Sequence, residues 1–234
     1  MAEVDRSAAL PSTQISEPVD DGGPINEPGS DPDLPDPEPA LEGPITDEPS
    51  STSELTPEAA AMEQKVTTAS GYNYANMAAY ARKYAIHPNP VYIEYSKDCT
   101  NFISQALLAG GWKTTSGGIL HRKDPDEWFF GAFQSTTSYA RAGAHNWYWY
   151  ATKYSHRTKI LDNMFKMGIG DVLQIDFAEK STGRPNGYIN YTMMVTAWKN
   201  GEPYLSGHTN NVLNKPLTVI KFENKGANFY AHRT

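Results

Sequence analysis

The sequence predicts an α+β domain in which N-terminal helices pack on an antiparallel sheet, preceded by a disordered acidic tail. Three observations support this prediction. Residues 1–60 carry fifteen acidic residues and no Phe, Trp or Tyr. Residues 73–111 hold two apolar patterns with helical spacing, and residues 172–222 hold runs typical of β-strands. Helices followed by a block of strands are the order expected of an α+β fold.

Residues 1–60 are predicted to form an extended tail. They contain eleven of the seventeen prolines, and Arg6 is their single basic residue. A segment with few large apolar side chains and strong self-repulsion cannot offset the entropy of ordering. Residues 61–234, the predicted domain, then carry a net charge of +7. This charge suits an anionic partner such as an envelope polymer, although scattered surface lysines would give the same sum. The acidic tail is available for a protein partner.

Several classes of site and location are disfavoured by the sequence. Cys99 is the single cysteine, which excludes an internal disulfide, a thiolate-rich zinc site and an iron–sulfur cluster. The six histidines are dispersed, so we expect no metal and no cofactor. Neither a nucleic-acid motif nor a membrane-spanning run is found. We expect a secreted or cell-envelope protein whose signal peptide has been removed, while a cytoplasmic protein fits the sequence equally well.

The first two predicted helices have clear boundaries. Thr56-Pro57-Glu58 is a typical helix start and predicts a helix that ends near Val66. From Asn73, apolar residues recur at steps of three and four, and His87-Pro88-Asn89-Pro90 ends this second helix. Its predicted apolar face consists of Tyr74, Met77, Ala78, Ala81, Tyr84 and Ala85.

The third helix carries the candidate nucleophile. Asp98 follows the extended residues 91–95 and is a strong N-cap candidate, which puts Cys99 at the first helical position. Gly110-Gly111 ends the helix. Its apolar stripe is formed by Phe102, Ile103, Ala106 and Leu107.

The rest of the chain is predicted to be a long loop, one helix and a sheet. Residues 112–165 indicate a loop that leads into a helix over residues 140–154. Strands are predicted at residues 172–177, 189–198, 204–209 and 217–222. Asn200-Gly201 between two apolar runs predicts a hairpin with a two-residue type I′ turn.

Pairing of Lys199 with Glu202 fixes the expected register of this hairpin. Continued along both strands, it places three pairs opposite each other: Val195 and Ser206, Met193 and His208, and Tyr191 and Asn210. Opposed residues share a face of the sheet, and so do alternate residues of one strand. We therefore expect one cluster formed by Tyr191, Met193, His208 and Asn210.

The position of Cys99 suits a nucleophile. Backbone N–H groups and the positive end of the helix dipole favour a thiolate and supply donors for an oxyanion. A cysteine can equally be a small buried hydrophobic residue, with Asp98 acting only as a cap.

The segment Asp98-Cys99-Thr100-Asn101-Phe102-Ile103-Ser104-Gln105-Ala106-Leu107 resembles the nucleophile motif of the bacterial putative amidase domain, a papain-like family similar to CHAP and NlpC-type cell-wall hydrolases. The resemblance covers most of residues 72–222 and includes Gly170-Asp171-Val172-Leu173-Gln174 and Gly207-His208-Thr209-Asn210. It implies cleavage of amide bonds, for example in peptidoglycan peptides, through a Cys99 thioester. Substrate contacts are expected from Asp98, Asn101 and Trp147, although Trp and Tyr on a helix usually belong to the core.

One position departs from the family pattern, because Tyr191 stands where the family has its catalytic histidine. A phenol with a pKa of about 10 does not replace an imidazole with a pKa of about 6.5 as the general base. Three explanations compete: loss of activity, natural or engineered; transfer of the base role to His208; or a thiolate that acts with the helix terminus alone. His208 and Asn210 are both candidates for the third, orienting position, and a structural role for His208 is the alternative.

The sequence therefore predicts a cysteine amidase whose activity is impaired or lost. A rival from another class is a non-catalytic module that keeps the groove to bind envelope peptides or a partner protein.

Overall fold

The α+β fold is confirmed by the structure, a computed structural model that describes residues 71–179 and 181–234. The predicted tail and the predicted helix over residues 57–66 lie outside the described residues. The helices are α1 (Tyr74–Tyr84), α2 (Cys99–Ala109), α3 (Tyr139–Ala142), α4 (Ala144–Trp149) and α5 (Leu217–Glu223). A turn of π-helix, Tyr150–Tyr154, continues α4. Helix α1 starts where predicted, because the Asn73 side chain accepts a hydrogen bond from the Asn76 N–H.

Six antiparallel strands form one sheet in the spatial order β1-β6-β2-β3-β4-β5. Their bounds are β1 (Lys159–Ile160), β2 (Val172–Asp176), β3 (Tyr191–Lys199), β4 (Glu202–Gly207), β5 (Val212–Pro216) and β6 (Asn228–Arg233). Strands β1, β5 and β6 were not predicted. The predicted helix over residues 140–154 is broken at Gly143, whose extended backbone separates α3 from α4.

The sheet is covered on both faces. Helices α1, α2 and α4 pack on one face, which we call the helical face, against Val172 of β2 and Met194 of β3. Helix α5 covers the opposite face with Leu217 and Ile220. That second core also contains Cys99, Leu173, Ile175, Tyr191, Met193, Val195 and Leu205. In the described part of the chain, no helix has the length and apolar character needed to cross a bilayer.

The predicted strand over residues 217–222 is wrong, because these residues form helix α5. The β-branched residues of this segment favour a strand locally, but Leu217 and Ile220 are three residues apart and both are buried on one helical face. The Glu202 carboxylate also accepts hydrogen bonds from the N–H and the hydroxyl of Thr218, in the first turn of α5. Tertiary contacts therefore override the local preference.

The hairpin turn is confirmed, whereas the predicted register beyond it is wrong by one residue. Lys199 pairs with Glu202, and both Asn200 and Gly201 have positive φ, as a type I′ turn requires. A β-bulge between Val195 and Ala197 then inserts one residue into β3. Beyond the bulge the observed pairs are Val195 with Leu205 and Met194 with Ser206, where Val195 with Ser206 was predicted.

The bulge separates residues that were expected to share a face. A slip of one residue turns every later side chain to the other side of the sheet. Tyr191 and Met193 belong to the core under α5, while the His208 ring stacks on Phe102 of α2, on the helical face. The predicted cluster of Tyr191, Met193, His208 and Asn210 is therefore split at His208.

His232 of β6 gives the fold a predictable dependence on pH. Burial lowers its pKa to about 3, and the neutral ring lies between the Thr158 hydroxyl and the Gln174 side-chain oxygen, 3.1 Å from each. The unfolded chain therefore binds this proton at a higher pH than the folded chain does. The contribution of neutral His232 to the free energy of unfolding is fully present above pH 6.5 and is lost as the pH decreases toward 3.

From pH 8 to pH 5 we expect His232 to remove about 2 kcal/mol from the free energy of unfolding. Urea unfolding at several pH values measures this loss. The variant His232→Gln should show a smaller pH dependence in this range, by about one proton. An identical pH dependence in both proteins would contradict the assignment.

Candidate active site

Cys99 lies at the first position of α2, as predicted, at the point where this helix meets the start of β3. Its sulfur is 3.9 Å from the Asn190 carbonyl oxygen and 3.8 Å from the Thr100 hydroxyl. The side chain is 4% exposed and packs with the core under α5. The Thr100 hydroxyl joins the same helix to β3 through a 2.8 Å hydrogen bond with Thr192. The nucleophile candidate is thus held against residues 190–192, which are 91 or more residues away in the chain.

Tyr191 is a neighbour of Cys99 and is fully buried in the same core. Its hydroxyl donates a 2.6 Å hydrogen bond to the His208 carbonyl oxygen and accepts one from the Asn210 backbone N–H. Burial is the main cause that raises the pKa of Tyr191 far above its ordinary value, and the nearby Cys99 raises it further. The phenol therefore stays neutral and cannot take the proton of the Cys99 thiol.

Asp98 precedes Cys99 and joins three parts of the chain. One carboxylate oxygen accepts hydrogen bonds from the Tyr95 N–H at 3.0 Å and from the Asn101 side-chain amide at 2.8 Å. The other oxygen is 2.7 Å from Nδ1 of His208. Asp98 stands at the N-cap position as predicted, but its side chain does not cap the helix. Since the residue is 4% exposed and both oxygens are engaged, the arrangement favours a positioning role over direct contact with substrate.

His208 is held on both ring nitrogens. Nε2 lies 2.6 Å from the Tyr84 carbonyl oxygen, and the ring stacks on Phe102 with 3.8 Å between ring centroids. Each ring nitrogen therefore faces an oxygen at hydrogen-bond distance. Neither nitrogen is directed at Cys99. The geometry places His208 in a buried clamp between Asp98 and the end of α1.

The remaining predicted site residues differ in their contacts and burial. Asn101 is fully buried, and its amide also donates to the Ile93 carbonyl oxygen. The backbone N–H of Asn210 bonds the Tyr191 hydroxyl, as described above. Trp147 has no exposed surface and stacks on Trp112 in the core of the helical face. Because Trp147 has no exposed surface, the structure favours a role in the core, and its substrate contact stays a prediction.

The structure therefore brings together Cys99, Tyr191 and the backbone of residue 210, with Asp98 and His208 beside them on the helical face. Within residues 71–179 and 181–234, no group of three His, Cys, Asp or Glu side chains is arranged to hold a metal ion. A narrow cleft lies next to Asp98 and His208, between residues 88–94 and Gln105.

Two contacts at the site were not anticipated from the sequence. The Thr209 hydroxyl accepts a hydrogen bond from the Asp98 N–H at 3.1 Å, which ties the end of β4 to the start of α2. Arg141 of α3 is fully buried and donates to the Asn101 carbonyl oxygen at 3.3 Å. An arginine between two alanines in a short helix is the only sequence signal for such burial.

Comparisons with known proteins agree with this architecture. The family described as "Putative amidase domain" matches residues 71–232. "Uncharacterized protein YjcM" of Bacillus subtilis (strain 168) is 32% identical over 168 residues, which cover 70% of this chain and 38% of that protein. "Uncharacterized protein YhbB" of the same organism is 30% identical over 154 residues, or 64% of this chain and 46% of that protein. The chain thus spans less than half the length of these relatives. No solved structure matches.

Proposed function

Because this chain belongs to the Putative amidase domain family, we propose that it carries a papain-like cysteine amidase site built on Cys99, with turnover impaired because Tyr191 replaces the general base. The family supports an amide-hydrolase type of function. The proposed chemistry is attack of the Cys99 sulfur on an amide carbon, release of the amine, and hydrolysis of the thioester by water. The backbone N–H of Cys99 would form part of the oxyanion hole.

The juxtaposition of Cys99 and Tyr191 carries this proposal. A residue at the start of β3 is brought next to a cysteine at the start of α2, which is the arrangement that a nucleophile and its base need. Residue 191 is the position at which the resemblance implies a histidine. The neutral Tyr191 phenol occupies the position of the base but cannot accept the proton of the Cys99 thiol. The two ring nitrogens of His208 face the Asp98 carboxylate and the Tyr84 carbonyl oxygen, which supports impairment over transfer of the base role to His208.

We propose peptidoglycan peptides as the substrate class, with the bond cleaved an amide. The net charge of +7 on residues 61–234 supports attraction to an anionic envelope polymer. Such a substrate places the protein at the cell envelope. Asn210 is the proposed orienting residue, since its backbone N–H contacts the residue that stands at the base position.

A second candidate function is a binding module that recognises envelope peptides or a partner protein without turnover. The observation that favours it is the engagement of residues 191 and 208 in buried hydrogen bonds, which directs both side chains away from a base role at Cys99. An assay of peptide release from purified cell walls distinguishes the two candidates. Release that depends on Cys99 supports the amidase, and no such release supports the binding module.

We expect iodoacetamide to modify Cys99 near pH 7 no faster than an ordinary thiol. The reason is that neither Tyr191 nor His208 can withdraw its proton, and the side chain is 4% exposed. Mass spectrometry of the intact chain measures the rate, with Cys99→Ser as the unreactive control. Rapid modification that disappears in His208→Gln would show instead that His208 serves as the base.

A further inference from the structure

Among residues 71–179 and 181–234, Arg141 is a buried cation to which no carboxylate is hydrogen-bonded. The side chain has no exposed surface, and burial lowers its pKa only to about 10, so it is charged at neutral pH. Its guanidinium carbon lies 4.9 Å from the Trp128 ring centroid and 5.9 Å from that of Phe130. Nη1 donates to the Asn101 carbonyl oxygen. Nε and Nη2 are buried and have no hydrogen-bond partner.

The two unpartnered nitrogens lie on the same edge of the guanidinium plane. Nε and Nη2 point two N–H bonds in parallel from this edge, which is the geometry that binds both oxygens of one carboxylate. A buried charge without a partner is strongly unfavourable, and buried polar groups are paired as a rule. An edge with two orphan donors therefore indicates a bidentate acceptor from outside the residues that the structure describes.

Neighbouring acceptors do not fill this place. Asp98 is the carboxylate whose charge acts on Arg141, but its oxygens are engaged by Tyr95, Asn101 and His208. The Tyr80 hydroxyl donates to the Gln105 side-chain oxygen, and the Tyr95 hydroxyl bonds Thr137. The chain thus uses its nearby carboxylate to hold His208.

We propose that Arg141 binds a carboxylate of the substrate peptide through Nε and Nη2, beside the first turn of α2 that presents Cys99. The contact between Nη1 and the Asn101 carbonyl oxygen fixes the guanidinium against this turn, two residues after Cys99. We assign the carboxylate at Arg141 and the amide at Cys99 to one ligand, because both sites adjoin the first turn of α2. This inference rests on the proposed function for its choice of ligand, an acidic peptide.

A ligand can reach Arg141 only if neighbouring residues move, since the side chain has no exposed surface. Residues 88–95 are the candidate segment, because Tyr92 and Tyr95 lie close enough to act on its charge. Tyr92 contacts Phe130 edge-on, at 5.1 Å between ring centroids. Hydrogen bonds from Asn89 to the Tyr80 hydroxyl and from Asn101 to the Ile93 carbonyl oxygen hold this segment on the domain. Val91 at its tip is 81% exposed, so the tip itself is not packed into the core.

The test is a binding measurement with the full chain, independent of turnover. Calorimetry compares acetyl-Ala-Glu, which carries free carboxylates, with the neutral acetyl-Ala-Gln amide at constant ionic strength. We expect the acidic peptide to bind at least tenfold more tightly. Arg141→Met should abolish this preference, and Arg141→Lys should weaken it, because a point charge replaces the planar pair of donors. The matched control is Arg157→Met, since Arg157 lies over Trp128 as well, at 5.9 Å, but is partly exposed.

Several outcomes would overturn the proposal: equal affinity for the two peptides, a preference retained in Arg141→Met, or inorganic phosphate that binds more tightly than the acidic peptide. If Arg141→Met does not fold, Arg141→Lys keeps the charge and carries the test alone. Repetition in Cys99→Ala separates the two proposals. Arg141-dependent binding without any Cys99-dependent turnover would support the carboxylate site and contradict the amidase.

Discussion

Replacement of Tyr191 by histidine is expected to raise amide hydrolysis at least about 100-fold, because general-base catalysis contributes about 10² to 10⁴ in rate. The change puts an imidazole next to Cys99, where burial and the neighbouring thiol hold the pKa of the tyrosine far above neutrality. Release of amines from purified cell walls measures the gain. Modification of Cys99 by iodoacetamide near pH 7 should accelerate in parallel.

Two matched variants separate a new base from a general loosening of the core. Tyr191→Phe removes the hydroxyl bonded to the His208 carbonyl oxygen and adds no base, so its hydrolysis should stay at the level of the parent chain. Combination of Tyr191→His with Cys99→Ala should abolish all gain. If Tyr191→His folds and still shows neither faster modification nor faster hydrolysis, residue 191 is not the position of the base.

The hairpin that carries these residues shows how far the sequence determines the site. Asn200-Gly201 predicts the turn and the pairing of Lys199 with Glu202, and both are confirmed. The bulge next to Val195 has no comparable local signal, since neither glycine nor proline marks it. Three residues on, this single insertion decides the face on which His208 lies. A register argument therefore holds near the turn and fails with distance from it.

Other differences arise where long-range packing decides the structure. Strand β6 pairs with β2 more than fifty residues away, and its neutral, buried His232 hides the alternation that a strand would show. Trp147 lies in an aromatic segment that suggested a substrate contact, yet the helical face buries it completely. By contrast, the start of α2 at Cys99 follows from local chemistry and was predicted to the residue.

The clamp formed by Asp98 and His208 explains how a strand end and two helices stay together around Cys99. The Asp98 carboxylate faces the His208 ring, whose second nitrogen bonds the last residue of α1. The Asp98 N–H bonds Thr209, immediately after His208. Both partners are almost completely buried, with side-chain exposures of 3% and 5%. A buried and fully bonded pair of this kind is strongly coupled to the folded state.

Replacement of Asp98 by asparagine is expected to destabilise the protein by about 3 to 5 kcal/mol, the usual cost of removing one partner of a buried ion pair. The asparagine oxygen can still accept from Tyr95 and Asn101, but a neutral NH₂ group replaces the carboxylate oxygen that faces Nδ1 of His208. Urea unfolding, with its midpoint and slope, measures the loss.

The surface pair of His121 and Asp124, at 2.8 Å and about half exposed, supplies the comparison. Asp124→Asn should leave the unfolding midpoint unchanged, because solvent screens exposed pairs. The double variant Asp98→Asn, His208→Gln should lose less than the sum of its single variants, since the second change removes the unpaired ring. Additive losses, or a loss below about 1 kcal/mol in Asp98→Asn, would mean that solvent screens this pair as well. The start of α2 would then be held by Thr209 and Asn101 rather than by the clamp.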